Sequence, residues 1–417
     1  MTPTRLPTAP PQTGFRRPPR VAIIGAGPSG CFTAQALRKR IANIQITVFD
    51  ALPTPYGLIR HGIAPDHQGA KAVQRQFDRL FARDGVRFVG NTLIPGDLPC
   101  AQLTEAFDAV VLATGLARDR GLGVAQDEQA RVIGAGALLR LLNSDPDSPL
   151  RHTAEGVPEL GREIAIVGTG NVAVDVARLL TKSAAELASS DIDDHALHAL
   201  IPHGIATIHV IGRSDRESAK WEHSMLKELA SVQSVALRFD GEPFDAASNP
   251  AGKSIRIDVR FRQTTQSITT MRDKTLLTTC EEGDPSKPSQ FLVDAVISAI
   301  GFQDDSPLSH ELDAPHIFRV GGCASGRLGN LAENRKLAAA AAQTIAEYLA
   351  RDDRAVPVDD DIDHLFPARH VTFDGWRRIE EAETLRARPQ RCRTKFTTRD
   401  ELLAAAQPVT DRLAINA

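Results

Sequence analysis

Three glycines with the spacing GxGxxG, Gly25, Gly27 and Gly30, offer the clearest chemistry in this sequence. In such a turn the first glycine permits a tight bend, the second lets the backbone approach a pyrophosphate, and the third allows close helix–strand packing. Asp50 follows Gly30 by twenty positions, where a carboxylate can accept hydrogen bonds from ribose hydroxyls. The pattern predicts a dinucleotide site, with a glycine-rich turn in some other α/β protein as the alternative.

A second turn of the same kind contains Gly168 and Gly170, with Ala173 in place of the third glycine. The strand that follows it ends at Gly212 and Arg213, so a cation stands where the first site has an acid. A cation at this position suits the 2′-phosphate of NADP better than a bare 2′-hydroxyl. The alternative is a solvated surface arginine.

The elements around both turns are those that a dinucleotide site requires. Apolar runs at 21–24, 44–49 and 109–115 predict buried strands, and residues 31–40 predict the helix after the first turn. A strand at 163–167 and a helix from Asn171 enclose the second turn. The predicted fold class is α/β, with two Rossmann-like dinucleotide-binding domains of the three-layer ββα type, the second inserted into the first.

The predicted division of the chain follows from this insertion. We expect a disordered arm at 1–19, a first part of the FAD-binding domain at 20–115, an NAD(P)-binding domain at 116–315, and the rest of the FAD-binding domain with a C-terminal tail at 316–417.

Further elements are predicted outside the two turns. Apolar residues on one face predict a helix over 70–83, and a short strand is predicted at 92–94. A very apolar helix is predicted over 337–349. The tail after residue 352 is charged and contains a predicted final helix at 399–406.

Bulk composition excludes several classes of protein. The net charge of −3 and the 5% aromatic content argue against nucleic-acid binding, and no apolar stretch is long enough to predict a membrane span. The five cysteines have no CxxC spacing, which argues against a zinc or other metal site, an iron–sulfur site and a redox-active disulfide. Without an apolar leader in the first twenty residues, we expect a cytoplasmic protein.

Two dinucleotide units in one chain indicate a tightly bound flavin and a dissociable nicotinamide nucleotide. Hydride transfer between them needs little acid–base chemistry from the protein, because the cofactors carry the reaction. The sequence therefore predicts an oxidoreductase that uses FAD and NADP or NAD.

The chain resembles the adrenodoxin-reductase-type ferredoxin–NADP reductases, which are FAD enzymes of the glutathione-reductase-like group. The most specific stretch is Pro-Tyr-Gly-Leu-Ile-Arg-His-Gly-Ile-Ala-Pro-Asp-His at 55–67, and residues 168–175 and 375–395 also match the family pattern. The resemblance implies a ferredoxin-like iron–sulfur protein as electron acceptor.

The resemblance also implies which residues contact the cofactors. Together with the glycine pattern it predicts two sets of cofactor-binding residues. For FAD they are Gly25, Gly27, Pro28, Ser29, Gly30, Asp50, Gly57, Leu58, Ile94, Gly115, Gly329, Asn330 and Leu331. For the nicotinamide nucleotide they are Gly168, Gly170, Asn171, Val172 and Arg213, with Gly322 near the nicotinamide.

Four departures from the family pattern lie on the nicotinamide side. Ser214 replaces the second of two arginines, Gly322 replaces a tryptophan, and an ungapped match places Met225 where the family has a glutamate. The family's Lys-Arg-Gly-Pro becomes Ala-Ser-Gly-Arg at 324–327. These changes favour weaker discrimination of NADP over NAD.

His67, in the signature loop, is the predicted catalytic residue, with a structural histidine that holds the loop as the alternative. Three functions stay open: electron transfer to a ferredoxin-like protein, action of a re-employed flavoenzyme on a small organic substrate, and a non-catalytic flavin module. Disulfide-reductase chemistry is disfavoured because no cysteine pair is available.

Overall fold

The computed structural model describes residues 17–116, 118–245, 252–304, 308, 312–351 and 361–408. The predicted N-terminal arm lies outside the described residues as far as residue 16, and the end of the C-terminal tail lies outside them from residue 409.

Strands and helices alternate through most of the chain. The strands are β1 (Arg20–Ile24), β2 (Gln45–Phe49), β3 (Arg87–Val89), β4 (Ala109–Leu112), β5 (Arg118–Asp119), β6 (Ala125–Gln126), β7 (Val132–Gly134), β8 (Glu163–Val167), β9 (Thr207–Ile211), β10 (Val235–Phe239), β11 (Glu242–Pro243), β12 (Ile255–Arg260), β13 (Gln263–Met271), β14 (Lys274–Glu281), β15 (Asp284–Val293), β16 (Ala295–Ser298), β17 (Phe302–Gln303) and β18 (Ile317–Arg319). The helices are α1 (Pro28–Arg40), α2 (Leu58–His61), α3 (Gln68–Lys71), α4 (Gln74–Ala82), α5 (Cys100–Ala106), α6 (Ala135–Leu142), α7 (Asn171–Thr181), α8 (Asp194–Leu200), α9 (His223–Ser231), α10 (Gly322–Ser325), α11 (Leu331–Leu349), α12 (Phe373–Leu385) and α13 (Arg399–Ala406).

The first sheet has five parallel strands in the order β18-β4-β1-β2-β3. Its central strands β1 and β4 are buried along their whole length, which explains their unbroken apolar sequence. Helices α1 and α11 pack side by side on one face, and α5 packs on the other. The carboxyl ends of β1 and β4 therefore meet the start of α1 at one edge of the sheet.

The second sheet has seven strands in the order β11-β10-β12-β9-β8-β16-β7, parallel except at the β11 edge. Helices α6 and α7 cover one face. The antiparallel strands β13, β14 and β15, with β6 beside them, cover the other through a small apolar cluster that includes Val167, Val296, Ile268 and Leu277. These layers confirm the predicted α/β class with a ββα arrangement.

The connections between the two sheets lie side by side. Strand β5 leads into the second sheet, β17 leads out of it, and the two pair antiparallel. Asp119 in β5 accepts hydrogen bonds from the backbone N–H groups of Gly136 and Ala137 at 2.7 and 2.9 Å. The crossing point is thereby fixed to the start of α6.

Several local predictions differ from the structure. The strand predicted at 92–94 is absent, because the chain turns there and Leu93 accepts a hydrogen bond from the Asp97 N–H. The helix predicted over 70–83 is divided into α3 and α4, with Lys71 buried at the end of α3. Helix α11 begins at Leu331 rather than residue 337, because Asn330 caps it. None of the helices in the described part of the chain has the length and apolarity needed to cross a bilayer.

Candidate active site

The first glycine turn is closed on one side and open on the other. Gly25 has φ +109°, and a Cβ there would clash with the carbonyl of Ala113. A Cβ on Gly30 would clash with the carbonyl of Gly25, so this glycine permits the close helix packing that the spacing predicts. A Cβ on Gly27 would meet nothing within 4 Å. The turn therefore leaves open space beside the start of α1, where Pro28 occupies the first helical position.

Two helix N-termini converge at this open space. Ser29 of α1 donates a hydrogen bond from Oγ to Oδ1 of Asn334 in α11, at 3.0 Å. The side chain of Asn330 accepts from the Glu333 N–H at 2.9 Å and so caps α11. Gly329, Asn330 and Leu331 thus lie at the start of a helix that is tied to α1. Unpaired N–H groups and a partial positive charge at both helix starts favour an anionic or carbonyl-bearing ligand.

Asp50 is held by the backbone on both of its oxygens. Oδ2 accepts from the Ala26 N–H at 2.8 Å, and Oδ1 accepts from the Leu52 N–H at 2.9 Å. Burial raises the pKa of Asp50 to about 6, although these two N–H groups oppose the shift. Each carboxylate oxygen has a second lone pair, so the group can still accept from a hydroxyl.

The signature loop is anchored against the first turn. A Cβ on Gly57 would lie 3.1 Å from the Cα of Gly27, and the N–H of Tyr56 donates to the Ala26 carbonyl at 2.9 Å. Arg60, from the same loop, forms a buried ion pair of 2.6 Å with Glu383 of α12. The C-terminal helix α12 therefore supports the loop that borders the candidate site.

The remaining residues predicted for the first site lie around the carboxyl edge of the first sheet. Leu58 is the first residue of α2, and Ile94 is buried in the apolar cluster below the carboxyl edge of the sheet. Gly115 follows β4, and a Cβ on Gly322 would lie 3.3 Å from the Gly115 carbonyl carbon and 3.1 Å from Cγ of Leu116. Space beside Gly322 is therefore already filled in this direction.

The second glycine turn repeats the geometry of the first. Gly168 has φ +128°, and a Cβ there would clash with the Ala299 carbonyl, whereas a Cβ on Gly170 would meet nothing within 4 Å. Oδ1 of Asn171 accepts from the Glu222 N–H at 2.8 Å. Val172 is half-buried in the first turn of α7, and Arg213 is exposed just beyond β9. The second sheet thus has an open glycine cradle with a cation at the neighbouring strand end.

His67 lies between the two domains. Its Nε2 is 3.2 Å from Oε2 of Glu228 in α9, and its Nδ1 is 3.7 Å from Oδ1 of Asp175 in α7. Burial opposes ionisation of Glu228, but Arg178, His67 and Lys182 outweigh it and lower its pKa. The signature loop at 55–67, which borders the first glycine turn, therefore contacts α7, the helix that follows the second glycine turn.

Asn334 and Glu228 are two contact residues that the sequence did not identify. Asn334 stands one helical turn after the capping Asn330, a spacing that could have drawn attention to it. Glu228 is three positions after Met225, where the ungapped match sought an acid, so it lies on the same helix face. Searching one helical turn beyond Met225 would have found it.

All five cysteines are free thiols. Among the described residues, no group of three or more His, Cys, Asp or Glu side chains is arranged to hold a metal ion. The two glycine turns, each open at its second glycine, are joined by the contact between His67 and Glu228.

Comparison with known proteins identifies the family. The pyridine nucleotide-disulphide oxidoreductase family matches residues 19–343. A cindoxin reductase from Citrobacter braakii is 35% identical over 416 residues, which cover 91% of this chain and 89% of that protein. The NADPH-ferredoxin reductase FprA of Mycobacterium leprae (strain TN) is 33% identical over 268 residues, which cover 62% of this chain and 56% of that protein.

The fold is also that of a solved structure. Mycobacterium tuberculosis FprA in complex with NADPH superposes with a TM-score of 0.81 and 25% identity, covering 94% of this chain and 100% of that one. The chain therefore belongs to the pyridine nucleotide-disulphide oxidoreductase family and, within it, to the adrenodoxin-reductase-type ferredoxin–NADP reductases.

Proposed function

We propose that this chain is an FAD-dependent oxidoreductase that takes a hydride from NADPH and passes electrons to a ferredoxin-like iron–sulfur protein. The observation that carries the proposal is the pair of open glycine cradles at Gly27 and Gly170, connected by the loop that ends at His67. The name of one relative, an NADPH-ferredoxin reductase, supports the acceptor class.

The residues of the first cradle fit FAD. The open face of Gly27 and the start of α1 would hold the pyrophosphate, and Asp50 would hold the ribose. The start of α11 and the turn at Gly115 would border the flavin end. When bound, FAD supplies the step from a two-electron donor to a one-electron acceptor. The protein's own contribution is to bind and orient both nucleotides.

The residues of the second cradle fit a dissociable nicotinamide nucleotide. Gly170, Asn171 and Val172 surround the start of α7, where backbone N–H groups would bind its pyrophosphate. Arg213, exposed beyond β9, would approach the adenosine ribose. The solved complex of the M. tuberculosis relative contains NADPH, which supports this assignment.

The small-substrate alternative gains no support from Gly322. That alternative needs open space where the family has a tryptophan, but the Leu116 side chain and Gly115 backbone occupy the space beside Gly322. We therefore keep electron transfer as the proposed function.

An anaerobic titration of the purified flavoprotein tests the proposal. We expect NADPH to bleach the flavin absorbance and the reduced protein then to reduce a plant-type [2Fe–2S] ferredoxin. Failure of both NADPH and NADH to bleach the flavin would contradict it.

Asp50 gives the flavin affinity a pH dependence. The apoprotein carboxyl titrates at about pH 6, above its ordinary value, so it gains a proton as the pH falls through 6. A ribose hydroxyl donates to the ionised form, so FAD affinity should fall by up to about tenfold per pH unit below 6. Reconstitution of the apoprotein with FAD between pH 5 and 8 measures this. Asp50→Asn should bind FAD more weakly and without that slope, and an unchanged slope would assign the titration to another group.

The contact between His67 and Glu228 should control the rate of flavin reduction. His67→Gln and Glu228→Gln each disturb a 3.2 Å contact that lies beside Asp175 in the second turn of α7. We expect reduction by NADPH to slow about tenfold, equivalent to about 1.4 kcal/mol, with unchanged FAD content. Stopped-flow flavin reduction measures the rate. Lys227→Gln, an exposed neighbour of Glu228, is the control and should reduce at the original rate.

A further inference from the structure

A second arginine stands next to Ser214, but it comes from a neighbouring strand. Strands β12 and β9 are parallel and paired in register, with Arg260 opposite Ile211. Beyond the pairing, the Gly212 N–H donates to the Arg260 carbonyl at 2.8 Å, and the Arg262 N–H donates to the Ser214 carbonyl at 3.1 Å. Arg262 thus leaves the sheet beside Ser214, at the carboxyl edge where parallel sheets bind ligands.

The main chain of Arg262 is fixed on both sides. Besides its own N–H bond to Ser214, its carbonyl accepts from the Glu282 N–H at 2.7 Å, and its φ is +52°. The side chain is exposed, as is that of Arg213. Within the described ranges, neither guanidinium makes an ion pair or a side-chain hydrogen bond. Two exposed cations, Arg213 and the backbone-anchored Arg262, therefore stand next to Ser214.

Two neighbouring charged residues, Asp215 and Arg216, have partners of their own. Arg216 lies over the ring of Phe239, with its guanidinium carbon 4.7 Å from the ring centroid. Oδ1 of Asp215 accepts from the Ser218 N–H at 2.8 Å. The pKa of Asp215 is lowered chiefly by Ser218 and to a smaller extent by the charge of Arg262. The charge of Arg262 therefore reaches the segment that follows β9.

We propose that Arg262 supplies the second cation of the ribose 2′-phosphate site, in place of the arginine that Ser214 replaces. This inference rests on the proposed function, because it assigns the 2′-phosphate of the nicotinamide nucleotide to the second cradle. Arg213 and Arg262 would bind the phosphate oxygens from two adjacent strand ends, and arginine suits phosphate geometry better than other cations. The chain would then prefer NADPH to NADH despite the loss of one arginine from the family pair.

Binding of adenosine 2′,5′-bisphosphate and of 5′-AMP to the FAD-loaded protein tests the proposal without hydride transfer. We expect the unchanged protein to bind the bisphosphate more tightly than 5′-AMP in calorimetry. Arg262→Gln should weaken the bisphosphate about tenfold, the effect of losing one charge-assisted contact, and change 5′-AMP less than twofold. The flavin spectrum, recorded on the same samples, should stay unchanged and report an intact fold.

Arg272→Gln is the matched control. Arg272 is also an exposed arginine with positive φ (+60°), but it lies at the far end of the long strand β13. Arg272→Gln removes the same charge as Arg262→Gln, and it should leave the affinities for the bisphosphate and for 5′-AMP unchanged.

Three results would overturn the proposal. The first is that Arg213→Gln lowers the affinity for the bisphosphate whereas Arg262→Gln leaves it unchanged. The second is that Arg262→Gln weakens the binding of the bisphosphate and of 5′-AMP equally. The third is an unchanged protein that binds the two ligands equally. In each case, bleaching of the flavin by NADH or NADPH would still support the proposed function, so the two failures are distinguishable.

Discussion

Gly27→Val is expected to give a folded protein that does not retain FAD. A Cβ at this position meets no protein atom within 4 Å, so we expect the fold to accept a side chain there. It would project into the space that the pyrophosphate needs beside the start of α1. We expect at least a hundredfold loss of FAD affinity, equivalent to about 2.8 kcal/mol, measured by flavin content and by titration of the apoprotein.

Gly170→Val should produce the complementary defect. A side chain there also enters open space, but at the start of α7 in the second domain. The variant should keep its flavin and resist bleaching by NADPH at concentrations that reduce the unchanged protein. Gly69→Val, at an exposed position of α3 with equally open space, is the control for the substitution itself. Loss of flavin in Gly170→Val, or full flavin retention in Gly27→Val, would contradict the assignment of the cradles.

The glycine turns were predictable because their requirements are local. The restricted space at Gly30 arises from the Gly25 carbonyl in the same turn, and the positive φ of Gly25 and Gly168 belongs to the turn itself. Glycine spacing after an apolar strand therefore suffices to indicate the turn. The final helix, Arg399–Ala406, was likewise predicted at its observed bounds, and the structure shows that a local capping box of Thr398 and Glu401 begins it.

Contacts between distant parts of the chain were not predictable. His67 meets Glu228 across 161 positions, and Ser29 meets Asn334 across 305. Neither contact leaves a recognisable residue spacing in the sequence, because each contact is created by the docking of two domains or two helices. Helix α12, read as part of a charged tail, illustrates the same limit: Trp376 is fully buried only because the first domain folds around it.

The domain contact also contains a buried charge cluster with a large expected effect on stability. Asp191, from the second domain, has a side chain only 4% exposed and lies 2.8 Å from Nζ of Lys71 and 2.9 Å from Nζ of Lys395. Both lysines come from the first domain and are equally buried. Asp191→Asn would therefore leave two buried cations without a counter-charge.

We expect Asp191→Asn to lower the free energy of unfolding by about 3–5 kcal/mol, the usual result of removing one partner from a buried ion pair. Urea unfolding of the FAD-loaded protein, followed by flavin release, measures the loss. Asp84→Asn is the control: Asp84 pairs with Arg79 at 3.6 Å, and the two side chains are 35% and 73% exposed. That variant should lose about 1 kcal/mol or less. Equal losses in the two variants would contradict the role of the buried cluster.

The pH dependence of this loss has a definite sign. Burial opposes ionisation of Asp191, but Lys395 and Lys71 outweigh it and hold its pKa well below the usual range. A group with a lowered folded pKa stabilises the protein above its unfolded pKa, and that stability disappears as the pH falls through the folded value. Burial lowers the pKa of Lys71 and Lys395, and loss of Asp191 removes the charge that opposes this shift. At higher pH the variant can relieve part of its penalty by releasing a proton from a lysine, so the difference in stability between the original protein and Asp191→Asn should not shrink from pH 7 to about 4. It should shrink only below about pH 4, where Asp191 gains its proton. A difference that already shrinks between pH 7 and 5 would mean that the cluster is held by some other titrating group.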